Sequence, residues 1–234
     1  IGLALKAGAC AIVAETSAYS DLPEGVSWVL VPDSRQALGL LSSVWCGNPS
    51  SDLRVAGVTG TNGKTTTAFL IHRILKQTMQ RAGLIGTVIF DDGSKQEVAN
   101  FTTPGTIKLQ EILGRMRENR CPGVVLEVSS QGLEQGRADA IAFDVAVFTN
   151  LSQDHLDYHG TMEQYFASKR RLFDSVADDV AGKRPTAVVN RDDFYGEILV
   201  REYADRVNLI TYGFGVNCDF RAGNVKQTSQ GAQF

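Results

Sequence analysis

"VAGVTGTNGKTTTAF", residues 55–69, joins an apolar run to a glycine turn and the turn to a helix-like run. Strand, glycine turn and helix in that order form the context in which a loop holds phosphate. The spelling departs from G-x-x-x-x-G-K-[ST] at one place: the pattern's first glycine falls on Val58, and Gly57 stands one residue early. A loop tightened to G-T-N-G-K-T-T, residues 60–66, can still form an anion nest. Gly60 and Gly63 allow close backbone approach, and successive backbone N–H groups together with the helix N-terminus stabilise negative charge. Lys64 reaches terminal phosphates, and the Thr65 hydroxyl can coordinate Mg²⁺. The bland alternative is a glycine-rich turn before an ordinary capped helix.

Outward from this loop, strand-like runs fall at 53–59, 84–90, 123–128, 144–149, 186–190 and 207–212. Helical periodicity falls at 64–80, 106–119, 161–177 and 193–204. Apolar strands alternating with amphipathic helices predict an α/β fold with a mostly parallel sheet flanked by helices. Ligands in such sheets collect beyond the carboxyl ends of the strands, and each motif considered below follows a strand. Upstream, "ACAIVAE", "VSWVLVP" and the helical run 33–45 suggest a small leading α/β piece. The Gly, Asn, Pro and Ser of 46–52 mark the expected linker, which gives domains at 1–48 and 49–234.

The bulk properties narrow the chemistry. The chain has 234 residues, 23 basic and 26 acidic, for a net charge of -3. No general attraction to nucleic acid or an anionic surface follows from that balance. No apolar run has a membrane span's length, and the opening residues show no leader, so the expected location is the cytoplasm. Cys10, Cys46, Cys121 and Cys218 are scattered without a C-x-x-C pair, and buried free thiols are the expectation.

Several stretches carry candidate chemistry, each with a plain structural alternative. "FTTPG" (101–105) sets Thr102 and Thr103 ahead of a helix, where they could be donors or a cap. "LEVSSQGLEQGR" (126–137) puts Glu127 at the exit of a buried strand, where an ionised carboxylate is costly unless paired or metal-bound; a surface strand end is the alternative. Arg137 can grip a carboxylate through two parallel hydrogen bonds. "TNLSQDHLDYHG" (149–160) holds His155 and His159, two of the chain's three histidines. H-x-x-x-H lacks the glutamate of the zinc-protease signature. His159 and Asp157 are expected to hold the turn together, and His72 to be a partly exposed structural residue. Lys169, in "MEQYFASKRRLF" (162–173), reads as one of several solvated lysines and arginines on an amphipathic helix. Asn190 and Asp192, in "VVNRDD" (188–193), could meet the base or ribose of ATP or build a turn.

The loop spelling and these motifs, taken in order, resemble the Mur ligases and the related folylpolyglutamate synthases, which form amide bonds through acyl phosphates. The combination is most similar to the branch that extends UDP-N-acetylmuramoyl-L-alanyl-D-glutamate by a diamino acid. Overall spelling favours meso-diaminopimelate over L-lysine. The resemblance covers nearly the whole chain and implies a P-loop central domain preceded by a remnant of a UDP-binding domain, as a fragment of a three-part enzyme. It implies ATP and Mg²⁺ as cofactors, with Gly60, Thr61, Asn62, Gly63, Lys64, Thr65, Thr66, Asn190 and Asp192 binding ATP. Thr102, Thr103, Ser129, Gln135 and Arg137 would hold the UDP-N-acetylmuramoyl-dipeptide. Thr65, Glu127, His155 and a carbamylated Lys169 would bind metal, and Lys64, Glu127, His155 and Lys169 would serve catalysis. Family members commonly carry histidine where this chain has Gln131. Another Mur ligase, a folylpolyglutamate synthase, or an inactive nucleotide-binding fragment are the alternatives.

Overall fold

The computed structural model describes residues 1–17, 22–178, 185–229 and 231–233. The leading piece contains helix α1 (Gly2–Lys6), strands β1 (Ala11–Ala14) and β2 (Ser27–Leu30), and helix α2 (Ser34–Trp45). Strands β1 and β2 pair in parallel as a sheet of their own. Asp33 caps α2 by accepting from the amides of Arg35 and Gln36, as its short acceptor side chain favours.

Next come α3 (Pro49–Asp52), β3 (Arg54–Thr59), α4 (Lys64–Met79), β4 (Gly83–Ile85), β5 (Ile89–Asp91) and β6 (Gln96–Val98). They are followed by α5 (Thr106–Glu118), β7 (Gly123–Glu127), α6 (Ser130–Glu134), β8 (Val145–Phe148), α7 (Leu156–His159) and α8 (Met162–Ala177). The described chain finishes with β9 (Thr186–Asn190), α9 (Phe194–Tyr203), β10 (Asn208–Gly213), β11 (Phe220–Arg221), β12 (Lys226–Thr228) and β13 (Gly231–Gln233). β12 and β13 form a separate antiparallel pair.

The main sheet has nine strands in the order β11-β10-β9-β8-β3-β7-β4-β5-β6. From β4 to β11 all neighbours run parallel, while β5 and β6 add an antiparallel edge. Period-two alternation sorts the strand side chains into two cores. Val55, Val124, Leu126, Ala146, Phe148, Ala187 and Val189 belong to the larger cluster, with residues of α5, α8 and α9. Val58, Val125 and Val147 turn the other way and meet Ala68 of α4. Every residue of β7 is buried, as a strand covered on both faces requires.

Three expectations need correction. The run 84–90 is not one strand: the chain turns at 86–88, and β5 folds back antiparallel on β4. A Cβ on Gly86 would lie 2.3 Å from Glu127 Oε1, so this turn presses backbone against a carboxylate. Of the expected linker 46–52, Pro49–Asp52 is helical, as α3, with Pro49 at its start and Pro49 and Ser50 buried. Arg117 fastens the preceding turn by donating to Gly47 O at 2.6 Å and Cys46 O at 3.1 Å. The thiols are free, but only Cys121 is buried and Cys10 is exposed.

Candidate functional site

The carboxyl ends of β3, β7 and β8 meet where the strand order changes direction, with β7 on one side of β3 and β8 on the other. That is the crevice in which open α/β sheets collect ligands. The spelling anomaly is resolved here. Gly57 lies inside β3, where a Cβ would meet Phe143 at 2.8 Å and Leu172 at 2.9 Å, so it is a packing glycine. The loop proper is 60–63. Gly60 has φ 145, and a Cβ there would lie 1.9 Å from Thr149 Oγ1. Gly63, at φ 84, caps α4 in a left-handed conformation.

Residues 149–152, just after β8, clamp the loop. Thr61 N donates to Asn150 O at 2.8 Å and Asn62 N to Asn150 Oδ1 at 3.0 Å. Thr149 Oγ1 donates to Asn62 O at 2.7 Å. The amides of Thr61 and Asn62 are therefore bound within the protein. The first-turn amides of α4 at Lys64, Thr65 and Thr66 lack intrahelical acceptors and carry the positive end of its dipole. Lys64 Nζ closes the loop by donating to Gly60 O at 2.9 Å and Thr61 O at 2.8 Å. Burial lowers the Lys64 pKa, opposed by the charges of Glu127 and Asp154.

Glu127 is 0% exposed at the end of β7, so the surface alternative fails. Its carboxylate accepts from Thr65 Oγ1 at 2.8 Å, Thr87 N at 2.9 Å and Thr87 Oγ1 at 3.1 Å. Thr103, 1% exposed, donates to Glu127 O at 3.0 Å and accepts from Ser129 N at 3.0 Å. Its proton is thus directed inward, and Thr103 acts as a strut under the site. Ser129 caps α6 by accepting from Gly132 N at 3.1 Å.

A cavity of about 400 Å³ opens beside these groups, lined among others by Lys64, Thr87, Thr102, Ser129, Arg137 and His155. Arg137, on its lining, is fixed within the protein: Nε donates to Gln135 Oε1 at 2.9 Å and Nη1 to Thr103 O at 2.8 Å. Gln135 is itself held by Tyr158 at 3.1 Å. Asn190 lies on a second cavity of about 420 Å³ with Tyr212, Phe214 and Phe220. Its Oδ1 accepts from Asp192 N at 3.1 Å, while the Asp192 carboxylate accepts from Phe214 N at 2.6 Å and Gly215 N at 3.1 Å. The Asn-Asp turn is therefore built, and it shapes the rim of that cavity.

Lys169 departs from its reading as a solvated basic residue. It is 2% exposed, donates to Gly60 O at 2.9 Å, and sits 4.4 Å from the centroid of the Tyr165 ring. Burial, followed by the Lys64 charge, pushes its pKa down to about 7 against the pull of Asp154. His155 is exposed, in a left-handed conformation at φ 51. His159 is buried between Ser130 Oγ at 2.9 Å and Glu134 Oε2 at 3.0 Å, stacked on Tyr165, as a turn-holding residue should be. Asp157 is exposed. His72 is buried rather than partly exposed, 3.2 Å from Ala82 O and 3.5 Å from Asp91 Oδ2.

The proposed metal set comes together only in part. Thr65 Oγ1 and Glu127 Oε2 supply adjacent hard oxygens, which suits Mg²⁺, an ion that takes one or two carboxylates and completes its shell with water and phosphate. The His155 ring Nε2 lies 3.5 Å from Asp154 Oδ2, and Lys169 Nζ donates to Gly60 O. Among the described residues no three His, Cys, Asp or Glu side chains form a metal cluster. Tyr165, Thr87, Thr149 and Asn150 were missed by sequence reasoning. Only Tyr165 carried a usable signal, standing four residues before Lys169 on the same helical face.

A family model described as the Mur ligase middle domain matches residues 58–234. The chain is 43% identical over 226 residues to the UDP-N-acetylmuramoyl-L-alanyl-D-glutamate--2,6-diaminopimelate ligase of Geobacter sulfurreducens, covering 96% of this chain and 44% of that protein. It is 41% identical over 232 residues to the Geobacillus kaustophilus protein of the same name, covering 99% of this chain and 46% of that protein. The chain thus spans a little under half the length of these relatives. A solved structure of a ligase of that name superposes with TM-score 0.79 at 31% identity, over 99% of this chain and 46% of the other. Mycobacterium tuberculosis folylpolyglutamate synthase, solved in complex with ADP, shares the fold at TM-score 0.60 and 16% identity, over 85% of this chain and 50% of that one.

Proposed function

Because this chain belongs to the Mur ligase family, we propose that it supplies the ATP-binding and phosphoryl-transfer centre of an ATP-dependent amide-bond ligase of peptidoglycan precursor synthesis. The reaction would join a diamino acid to UDP-N-acetylmuramoyl-L-alanyl-D-glutamate. The observation that carries this reading is the meeting of Lys64, at the α4 N-terminus, with Arg137 on one cavity, while the Thr65–Glu127 pair lies behind its lining residue Thr87. The names of the relatives favour diaminopimelate as the amine.

The chemistry follows from that placement. A free carboxylate is a poor acyl donor because its oxyanion leaves badly. An oxygen of the D-glutamate side-chain carboxylate attacks the γ-phosphorus of ATP, ADP departs, and an acyl phosphate remains. The amine of the diamino acid then attacks the acyl carbon, and phosphate leaves carrying the carboxylate oxygen. The α4 amides and Lys64 hold the transferring phosphoryl group in line. Lys64 has only to turn from its own loop's carbonyls to phosphate oxygens. Arg137, Thr102, Ser129 and Gln135 orient the acid, with Thr103 supporting them from beneath. Asn190 and the loop shaped by Asp192 receive the base end of the nucleotide.

Thr65 and Glu127 would hold Mg²⁺, which neutralises the converging negative charges when bound. At a pKa of about 7 the Lys169 amine is about half neutral at pH 7, against about 0.03% for an ordinary lysine. Only the neutral amine adds to carbon dioxide, so this burial suits Lys169 to carbamylation, which would replace a cation by an anionic oxygen donor. We assign residues 1–48 to the end of a UDP-binding domain, 49–234 to the ATP-binding domain, and the enzyme to the cytoplasm. No described helix is long and apolar enough to cross a membrane.

The test is phosphate release by the full-length polypeptide containing this chain. Release should require both the UDP-linked dipeptide and a diamino acid, with diaminopimelate preferred to lysine. Lys64→Ala should lower it by about 10³-fold, the scale of losing a charge-stabilising donor. Release that ignores the acceptor, or survives Lys64→Ala, would overturn the proposal.

A further inference from the structure

Thr87, in the turn between β4 and β5, grips Glu127 at both oxygens. Its amide donates to Oε1 at 2.9 Å and its hydroxyl to Oε2 at 3.1 Å. A carboxylate oxygen only accepts, so the direction of the hydroxyl bond is fixed. With that single proton engaged, the 3.1 Å contact between Thr87 Oγ1 and Thr102 Oγ1 runs from Thr102 to Thr87. The chain of donors is therefore Thr102 to Thr87 to Glu127, and Thr65 meets the same Oε2 from the nucleotide side at 2.8 Å. The last torsion of a glutamate is broad and roughly two-fold, so burial alone does not select the plane of its carboxylate. One amide and one hydroxyl from a single residue do select it. Gly86 lets the turn come this close, since any Cβ there would lie 2.3 Å from Glu127 Oε1.

We propose that Thr87 is a positioning residue of this centre: it sets the plane of the Glu127 carboxylate so that Oε2 faces Thr65 and the divalent cation, and it links that carboxylate to Thr102 in the acceptor cavity. The inference rests on the phosphoryl-transfer reading of the site. Sequence pattern alone does not reveal it, because Thr87 is an exposed residue in a turn.

The experiment compares Thr87→Val, which removes the hydroxyl but keeps shape and amide, with Thr87→Ser, which restores it. Manganese(II) is titrated onto the full-length protein with a non-hydrolysable ATP analogue present, and free ion is read by electron paramagnetic resonance. Groups that orient metal ligands are worth about 10- to 100-fold in metal affinity, so Thr87→Val should weaken manganese binding by that factor and Thr87→Ser should restore it. Inert misfolded protein lowers the number of manganese sites and not their dissociation constant, and urea unfolding of Thr87→Val checks that the folded state is fully populated during the titration. Wild-type affinity in Thr87→Val overturns the proposal, as does equal weakening in Thr87→Ser. If wild type itself bound no analogue and released no phosphate, the reading of the whole site would fall with it. A working wild type with an unaffected Thr87→Val would remove the role of Thr87 alone.

Discussion

At the residue scale the site turns on an amine in an apolar place. Lys169 reads as one of several solvated basic residues, yet it is 2% exposed against Tyr165 and Gly60 O. With its pKa pushed down to about 7, the neutral amine rises from about a tenth at pH 6 to about nine tenths at pH 8. Carbamylation should follow the same direction. Carbon-13 NMR of protein in labelled bicarbonate should show a carbamate signal that grows from pH 6 to pH 8 and is missing in Lys169→Met; a signal that persists in that variant would remove the assignment. Spelling alone could not have shown this environment. Lys64, by contrast, was legible because glycine, lysine and threonine stand at a strand-to-helix junction, and Glu127 because a charged residue ends a fully apolar strand. Helical spacing sets Lys169 on the buried stripe with Tyr165, Leu172 and Val176, but its contact with Gly60 O comes from a loop distant in sequence, which spacing does not show.

At the element scale, the long helices and parallel strands follow their periods closely, whereas short elements do not. Helix α6 is five residues long and α7 four, too short to show a period, yet they place Ser129 and His159. The hairpin β4–β5 was unreadable because its turn is fixed by a carboxylate on β7, across the sheet. Thr103 is the tie between such elements, joining the β7 exit to the segment before α5. Thr103→Val keeps the shape but strips Ser129 N of its acceptor in a buried place, at a cost of about 1–3 kcal/mol. Urea unfolding of the variant should show that loss, with Thr103→Ser close to wild type. An unchanged midpoint for Thr103→Val would mean that this tie does not support the site.

At the scale of the whole molecule, function depends on where the sheet changes direction. Alternating elements foretold a parallel sheet, but not that β7 would insert between β3 and β4 while β8 took the other side of β3. Spacing carries no information on strand order, which is set by how helices cover the two faces. That order brings the glycine loop, Glu127 and the cavity lined by Arg137 to one crevice, where the proposed reaction would set an acid beside the phosphoryl group that activates it. Oxygen transfer tests this most directly. The full-length protein is given UDP-N-acetylmuramoyl-L-alanyl-D-glutamate labelled with oxygen-18 in the D-glutamate side-chain carboxylate, together with ATP and diaminopimelate, and the released phosphate is analysed by mass spectrometry. An acyl phosphate formed in this crevice predicts one labelled oxygen in each phosphate released; unlabelled phosphate formed alongside ligated product would contradict it.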